Sequence, residues 1–193
     1  YNTHIGSLPS VMPDNEDGAA LSAQHLLSMG HARIGFINVP GYINSEKRLS
    51  RFQSEIRKFG LDDSALTIAE GDWTEDSGYR AARELLSREP DITAIFGGND
   101  SMAIGAMRAA KELGLSVPEH LSVIGFDGIA QSALTHPPLT TLQVDVKVMA
   151  EAACMLLTHM MAEGISRGIH AVVATDLIIR GSTAAPRNRE KSE

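Results

Sequence analysis

The run ITAIFGGNDSMAIGAMRAAKELGLSVPEHLSVIGFD (residues 92–127) decides the fold. Ile92 to Phe96 is mostly β-branched or apolar, the composition of a short buried strand. Gly97 and Gly98 turn the chain, and Ser101 to Leu113 places apolar residues at helical spacing. Gly114 stops that helix, where a left-handed cap suits glycine. After the step from Val117 to Pro118, Leu121 to Phe126 is a second apolar run. Strand, helix and strand in this order form a βαβ unit, whose strands run parallel.

The same alternation extends in both directions. Upstream, the spacing predicts a helix over Gly18 to Met29 stopped by Gly30, and a strand over Arg33 to Val39. It then predicts a helix over Ser45 to Phe59, a strand over Leu66 to Glu70 and a helix over Glu75 to Ser87. Downstream, Thr140 to Val144 reads as extended, Val148 to Glu163 as a Met- and Ala-rich helix, and Ala171 to Ile179 as one strand. The polar tail 186–193 is expected to fray. The predicted fold class is α/β, a parallel sheet with helices on both faces.

Composition narrows the function. The chain has 193 residues, 43% hydrophobic and 21% charged, enough for one large α/β domain or one and a half smaller ones. Its net charge of -7 offers no basic surface for displacing counterions from nucleic acid, so contact with DNA must come from another part. The lone Cys154 excludes an intrachain disulfide and suits a reducing compartment. No apolar run approaches the roughly 20 residues of a membrane helix, and no signal-peptide pattern is present. The chain opens at Tyr1 rather than Met, so it is read as a fragment or a processed product.

Open parallel sheets bind ligands outside the carboxyl ends of their strands. The polar and aromatic residues falling after the predicted strands are Arg48, beyond the loop Pro40 to Asn44, then Trp73, Asn99 and Asp127. Forked donors, an aromatic face, an amide and a carboxylate suit a polyhydroxylated ligand. Each has a plainer reading. Asp100 is read as a helix N-cap rather than a ligand contact. Arg48 could pair with Glu55, Trp73 could be a packing anchor, and Asp127 could brace the next loop. His31 is read as capping carbonyls at a helix end, and Cys154 and the face bearing Met149, Ala153, Leu156, Leu157 and Met160 as core packing. The histidines have no metal-ligand spacing, and neither a dinucleotide fingerprint, a P-loop nor a nucleophile elbow is present.

Several segments resemble the effector-binding core of LacI/GalR (lactose-repressor) family transcriptional regulators. These are AQHLLSMGHARIGFI (23–37), GDW (71–73), the opening run 92–127, PPLTT (137–141) and LIIRGST (177–183). The resemblance implies a two-lobed, periplasmic-binding-protein-like type I fold, with the C-terminal lobe nearly complete and the N-terminal lobe partial. It implies that 1–15 is a remnant of the N-terminal lobe and 16–144 the C-terminal lobe. Residues 145–174 would be a return helix and segment of the N-terminal lobe, 175–185 a return strand, and 186–193 a tail. The effector contacts it implies are Arg48, Trp73, Asn99 and Asp127, with Asn44 at a further polar position. Arg51 stands where the family usually has glycine, Gly128 where it often has a second acid, and Val144 where it often has a polar residue.

The function so implied is a cytoplasmic, dimeric regulator that binds a small effector, expected to be a sugar, needs no cofactor or metal, and is not an enzyme. Operator DNA would be bound by a helix-turn-helix domain preceding this chain, with no membrane partner. Candidate dimer segments are Ser101 to Leu113 and the loop Gln131 to Pro137. A periplasmic sugar-binding protein of an uptake system shares the fold and is the alternative. A glycosidase using Asp100 and Asp127 as an acid–base pair is the enzymatic one.

Overall fold

The computed structural model describes residues 9–163 and 168–187. The elements in chain order are β1 (Ser10–Pro13), α1 (Asn15–Ser28), β2 (Ile34–Asn38), α2 (Ile43–Lys58), β3 (Leu66–Glu70), α3 (Glu75–Arg88), β4 (Ala94–Gly97) and α4 (Asp100–Glu112). They continue with β5 (Ser122–Asp127), β6 (Thr140–Val144), α5 (Val146–Glu163), β7 (His170–Val173) and β8 (Thr175–Ile178). Six strands form one sheet in the order β3-β2-β4-β5-β6-β8, while β1 and β7 pair by themselves. All of the neighbours are parallel except β6 and β8, which are antiparallel.

The sheet is covered on both sides, as the alternation of elements requires. One core gathers Ala81, Ala82 and Leu85 of α3, Met102, Ala103 and Ala106 of α4, and Ile37, Ile95 and Val123 of the strands. The other gathers Ala23, Leu26 and Leu27 of α1, Phe52 and Ile56 of α2, and Phe36, Phe96 and Phe126. Phe36 stacks on Phe96 with ring centres 4.9 Å apart and meets Phe52 edge-on at 5.4 Å. Burying each such ring contributes about 1.5–3 kcal/mol. Side chains fasten the helix starts. Asp14 accepts from the Asp17 amide at 2.8 Å, so α1 begins at Asn15, before the expected Gly18.

Three expectations are corrected. The predicted strand over Ala171 to Ile179 is two strands, β7 and β8, interrupted at Ala174 and belonging to different sheets. A β-branched run does not record which sheet each half joins. The cap of α4 is Asn99, whose Oδ1 accepts from the Met102 amide at 2.9 Å, so Asp100 is the first helical residue and not the cap. The expected capping by His31 is present in its amide, which donates to the Leu26 carbonyl at 3.1 Å at the end of α1, and its ring goes further, bonding Thr93 Oγ1 at 2.8 Å and the Ala184 carbonyl at 2.9 Å and so tying down the chain after β8. Cys154 is exposed. It lies on α5, which has no buried residue among those described and carries Met155 and Met161 more than 70% exposed. Of the face expected to pack, Met149, Leu156 and Met160 are half-buried while Ala153 and Leu157 are exposed, because a helical period marks apolar positions but not what covers them. Of the tail 186–193, residues 188–193 lie outside the described residues.

The chain passes between the six-stranded sheet and the group β1, β7 and α5 at Asp14, Asp145 and Ala174. At the first and last of these the peptides are joined. The Asp14 amide donates to the Val173 carbonyl at 2.8 Å, and Thr175 Oγ1 reaches the Asp14 carbonyl at 3.4 Å.

Candidate ligand-binding site

Because β2 to β6 are parallel, their carboxyl ends share one edge of the sheet. Arg48, on α2 after β2, is 5% exposed there. Its Nε donates to Asn15 Oδ1 at 2.7 Å, its Nη1 donates to the Gly98 carbonyl, and its guanidinium carbon lies 3.5 Å from the centre of the Phe126 ring. The expected alternative partner, Glu55, is instead bonded to Gln24, Arg51 and Lys58. Burial lowers the Arg48 pKa to about 10, against the opposing pull of Asp127 and Asp100. It therefore stays charged at neutral pH.

Asp127 closes β5 with φ +116°, a conformation that L-residues rarely adopt and that costs of order 1–3 kcal/mol. Burial pushes its carboxyl up to about 6, against the Arg48 charge. Gly128 follows with φ +71°, and a Cβ there would come within 2.7 Å of the Gln143 side chain. The backbone conformation and this close approach together favour glycine at position 128. Asp100 is fully buried. Its Oδ2 accepts from the Ile129 amide at 2.8 Å and its Oδ1 from the Thr141 hydroxyl. Burial pushes it also to about 6, although these bonds pull the other way. One Asp100 oxygen thus braces the turn after Asp127 and the other ties α4 to β6. With Asp100 sealed inside the fold, the acid–base pair of the glycosidase reading lacks a member open to a substrate.

Trp73 is half-buried with φ +73°, and its ring meets Tyr42 edge-on at 5.5 Å. Asn99 Nδ2 donates to the Trp73 carbonyl at 3.1 Å, so the cap of α4 also holds the loop presenting the indole. Asn44 lies one helical turn before Arg48, and its Oδ1 is buried without a hydrogen-bond partner among the described residues. An orphaned acceptor of this kind costs about 1–3 kcal/mol unless a donor arrives. Ser45 fixes the start of α2, accepting from the Val39 amide at 2.9 Å and donating to Asn38 Oδ1 at 2.7 Å.

Bonds and charge thus join Arg48 to Asp127 and Trp73 to Asn99, and Asn44 shares α2 with Arg48. Three participants were not anticipated: Asn15, Phe126 and Tyr42. Tyr42 lies in the loop singled out after β2, Asn15 follows β1, a strand that the sequence patterning did not predict, and Phe126 is apolar. Among the described residues no cluster of His, Cys, Asp and Glu could hold a metal ion. What the edge offers is a carboxylate and an amide oxygen as acceptors, guanidinium donors, and two aromatic rings. No helix among the described residues is long and apolar enough to cross a membrane.

Residues 23–183 match the periplasmic binding protein-like domain family. The HTH-type transcriptional repressor CytR of Escherichia coli K12 is 38% identical over 180 residues, covering 92% of this chain and 52% of CytR. A solved complex of the transcriptional regulator CelR with cellobiose superposes with a TM-score of 0.86 at 30% identity, covering 92% of this chain and 54% of CelR. The lac repressor dimer bound to operator and the anti-inducer ONPF superposes with a TM-score of 0.84 at 28% identity, covering 96% of this chain and 63% of that one. The chain spans about half the length of the curated relatives it matches. By the match over most of its length, the chain belongs to the periplasmic binding protein-like domain family, and it is similar to transcriptional regulators over about half of their length.

Proposed function

We propose that this chain is the effector-binding part of a cytoplasmic LacI-family repressor, and that its effector is a sugar bound at the edge formed by Arg48, Trp73, Asn99, Asp127 and Asn44. The observation that carries the proposal is Arg48. A buried guanidinium uses two of its N–H groups within the fold, while the charge of Asp127 favours its own. Vicinal hydroxyls satisfy such a donor and acceptor pair together, while an indole packs on the apolar face of a pyranose. CelR, similar in structure, is described in complex with cellobiose.

The six-stranded sheet with its helices forms one lobe, and β1, β7 and α5 belong to the other. Effector binding favours one arrangement of the lobes. The dimer transmits that preference to operator DNA, bound by a domain outside this chain, as the lac repressor dimer bound to operator suggests. The net charge of -7 agrees with DNA contact lying elsewhere. The chain catalyses no reaction. The relatives are transcriptional regulators, which favours this reading over an uptake protein.

The test is a panel of mono- and disaccharides that includes cellobiose, followed by calorimetry and by Trp73 emission. At least one sugar is expected to bind saturably and to shift the emission. Binding confined to non-sugar ligands, or sugar binding unaffected by Asp127→Ala in a folded chain, would overturn the assignment.

A further inference from the structure

We infer that Asn15 is a positioning residue that links the Arg48 guanidinium to the crossover peptide at Pro13, so that whatever engages Arg48 is felt where β1 enters the six-stranded body. The inference rests on the effector-site reading of Arg48 and adds to it the route out of the site.

Asn15 is 4% exposed and uses both ends of its amide. Its Oδ1 accepts from Arg48 Nε at 2.7 Å, and its Nδ2 donates to the Pro13 carbonyl at 3.0 Å. Pro13 ends β1 and Asn15 begins α1, so this side chain spans the crossover. The residue type is dictated by chemistry. A carboxylate could accept from Arg48 but could not donate to a carbonyl, and a glutamine is one methylene longer.

The crossover is not free to absorb a shift of Asn15 by itself. The Asp14 amide is bonded to the Val173 carbonyl of the return crossover. One turn into α1, a Cβ at Gly18 would meet Phe126 at 2.8 Å and Thr175 Oγ1 at 2.9 Å. The Phe126 ring is the same one that carries the Arg48 guanidinium. Arg48, Asn15, Gly18 and Phe126 therefore close a ring of contacts joining α2, α1 and β5, with both crossovers attached to it. Packed contacts of this kind shift between discrete arrangements rather than deform gradually.

The test is amide hydrogen exchange in the ligand-free, isotope-labelled chain, read at Asp14 relative to the β4 amides, which report global opening. Arg48→Lys removes the Nε donor and is expected to speed Asp14 exchange about tenfold. In an Asn15→Asp background, which keeps the acceptor toward Arg48 but loses the donor to Pro13, the same change should alter it less than twofold. Asn15→Ala, which removes both bonds, should uncouple the sites equally. The wild-type Arg48 Nε–H resonance provides a measurement without any variant and should be protected from exchange. Equal responses in all backgrounds, an Asp14 amide indifferent to Arg48, or an unprotected Nε–H would overturn the relay. The sugar panel tests the site and this ligand-free cycle tests the link, so either can fail alone.

Discussion

The Arg48 guanidinium lies face-on to the Phe126 ring at 3.5 Å, and the residue after Phe126 is the carboxylate that favours its charge. A buried cation is costly unless something replaces its water. Here the ring face, the Gly98 carbonyl, the Asn15 amide and Asp127 replace it together. The arrangement keeps a charge in a nearly dry place.

Phe126→Leu should cost about 2 kcal/mol of stability, combining imperfect repacking with loss of the cation–π contact. In an Arg48→Met background the same substitution should cost about 1 kcal/mol less, because no cation remains to be lost. Urea denaturation of the four proteins measures this. Identical costs in the two backgrounds would show that the ring serves only as core.

Trp73 is the single tryptophan, so its emission reports one place. Trp73→Ala should weaken sugar binding at least tenfold, about 1.4 kcal/mol, and Trp73→Phe by less, since a smaller ring keeps part of the stacking surface. Titration calorimetry on all three chains decides it, and undiminished affinity in Trp73→Ala would remove the indole from the site.

These contacts show what was legible in the sequence. Strand-end logic put Arg48, Trp73, Asn99 and Asp127 at one edge because a parallel sheet gathers the ends of its strands there, and the bonds from Asn99 to Trp73 and from Arg48 to Gly98 cross that edge. The fate of Asp100 was not legible. Asn99 and Asp100 can both cap a helix, and the choice depends on the extended backbone of Asn99 and on the space that Gly125 leaves, where a Cβ would sit 2.2 Å from Asp100 Oδ1. Asn15 was hidden for a similar reason. Its partner is 33 residues away, and no local period records such a pairing.

Ser182 joins the chain after β8 to the sheet. Fully buried, its Oγ accepts from the Thr140 amide at 2.8 Å and donates to the Val123 carbonyl at 2.6 Å. Ser182→Ala strands a buried donor and a buried acceptor, so a loss of about 2–4 kcal/mol is expected. Ser64→Ala, at an exposed turn, should change stability by less than about 1 kcal/mol. Comparable denaturation midpoints for the two variants would contradict the role given to Ser182.

Asp127 sets a pH dependence whose sign can be worked out. Its folded pKa of about 6 lies above the ordinary carboxylate value of 3.8, so between those limits the folded chain holds more protons than the unfolded one. Stability from this group is therefore full at low pH and declines as pH rises through the window. His31 runs the other way, because burial lowers its pKa and the unfolded chain takes up the proton first. Comparing Asp127→Asn with wild type cancels that background. The variant should be the more stable by on the order of 1 kcal/mol above about pH 6, with the gap closing toward about pH 4. Sugar affinity should move in the opposite sense. The ionised carboxylate supplies two acceptors, so wild-type binding should weaken as pH falls through about 6, while Asp127→Asn binds weakly at every pH. Urea denaturation and calorimetry across this range measure both. If the two proteins share one stability profile, the Asp127 proton is not coupled to folding. If wild-type affinity is flat, the carboxylate does not receive the ligand.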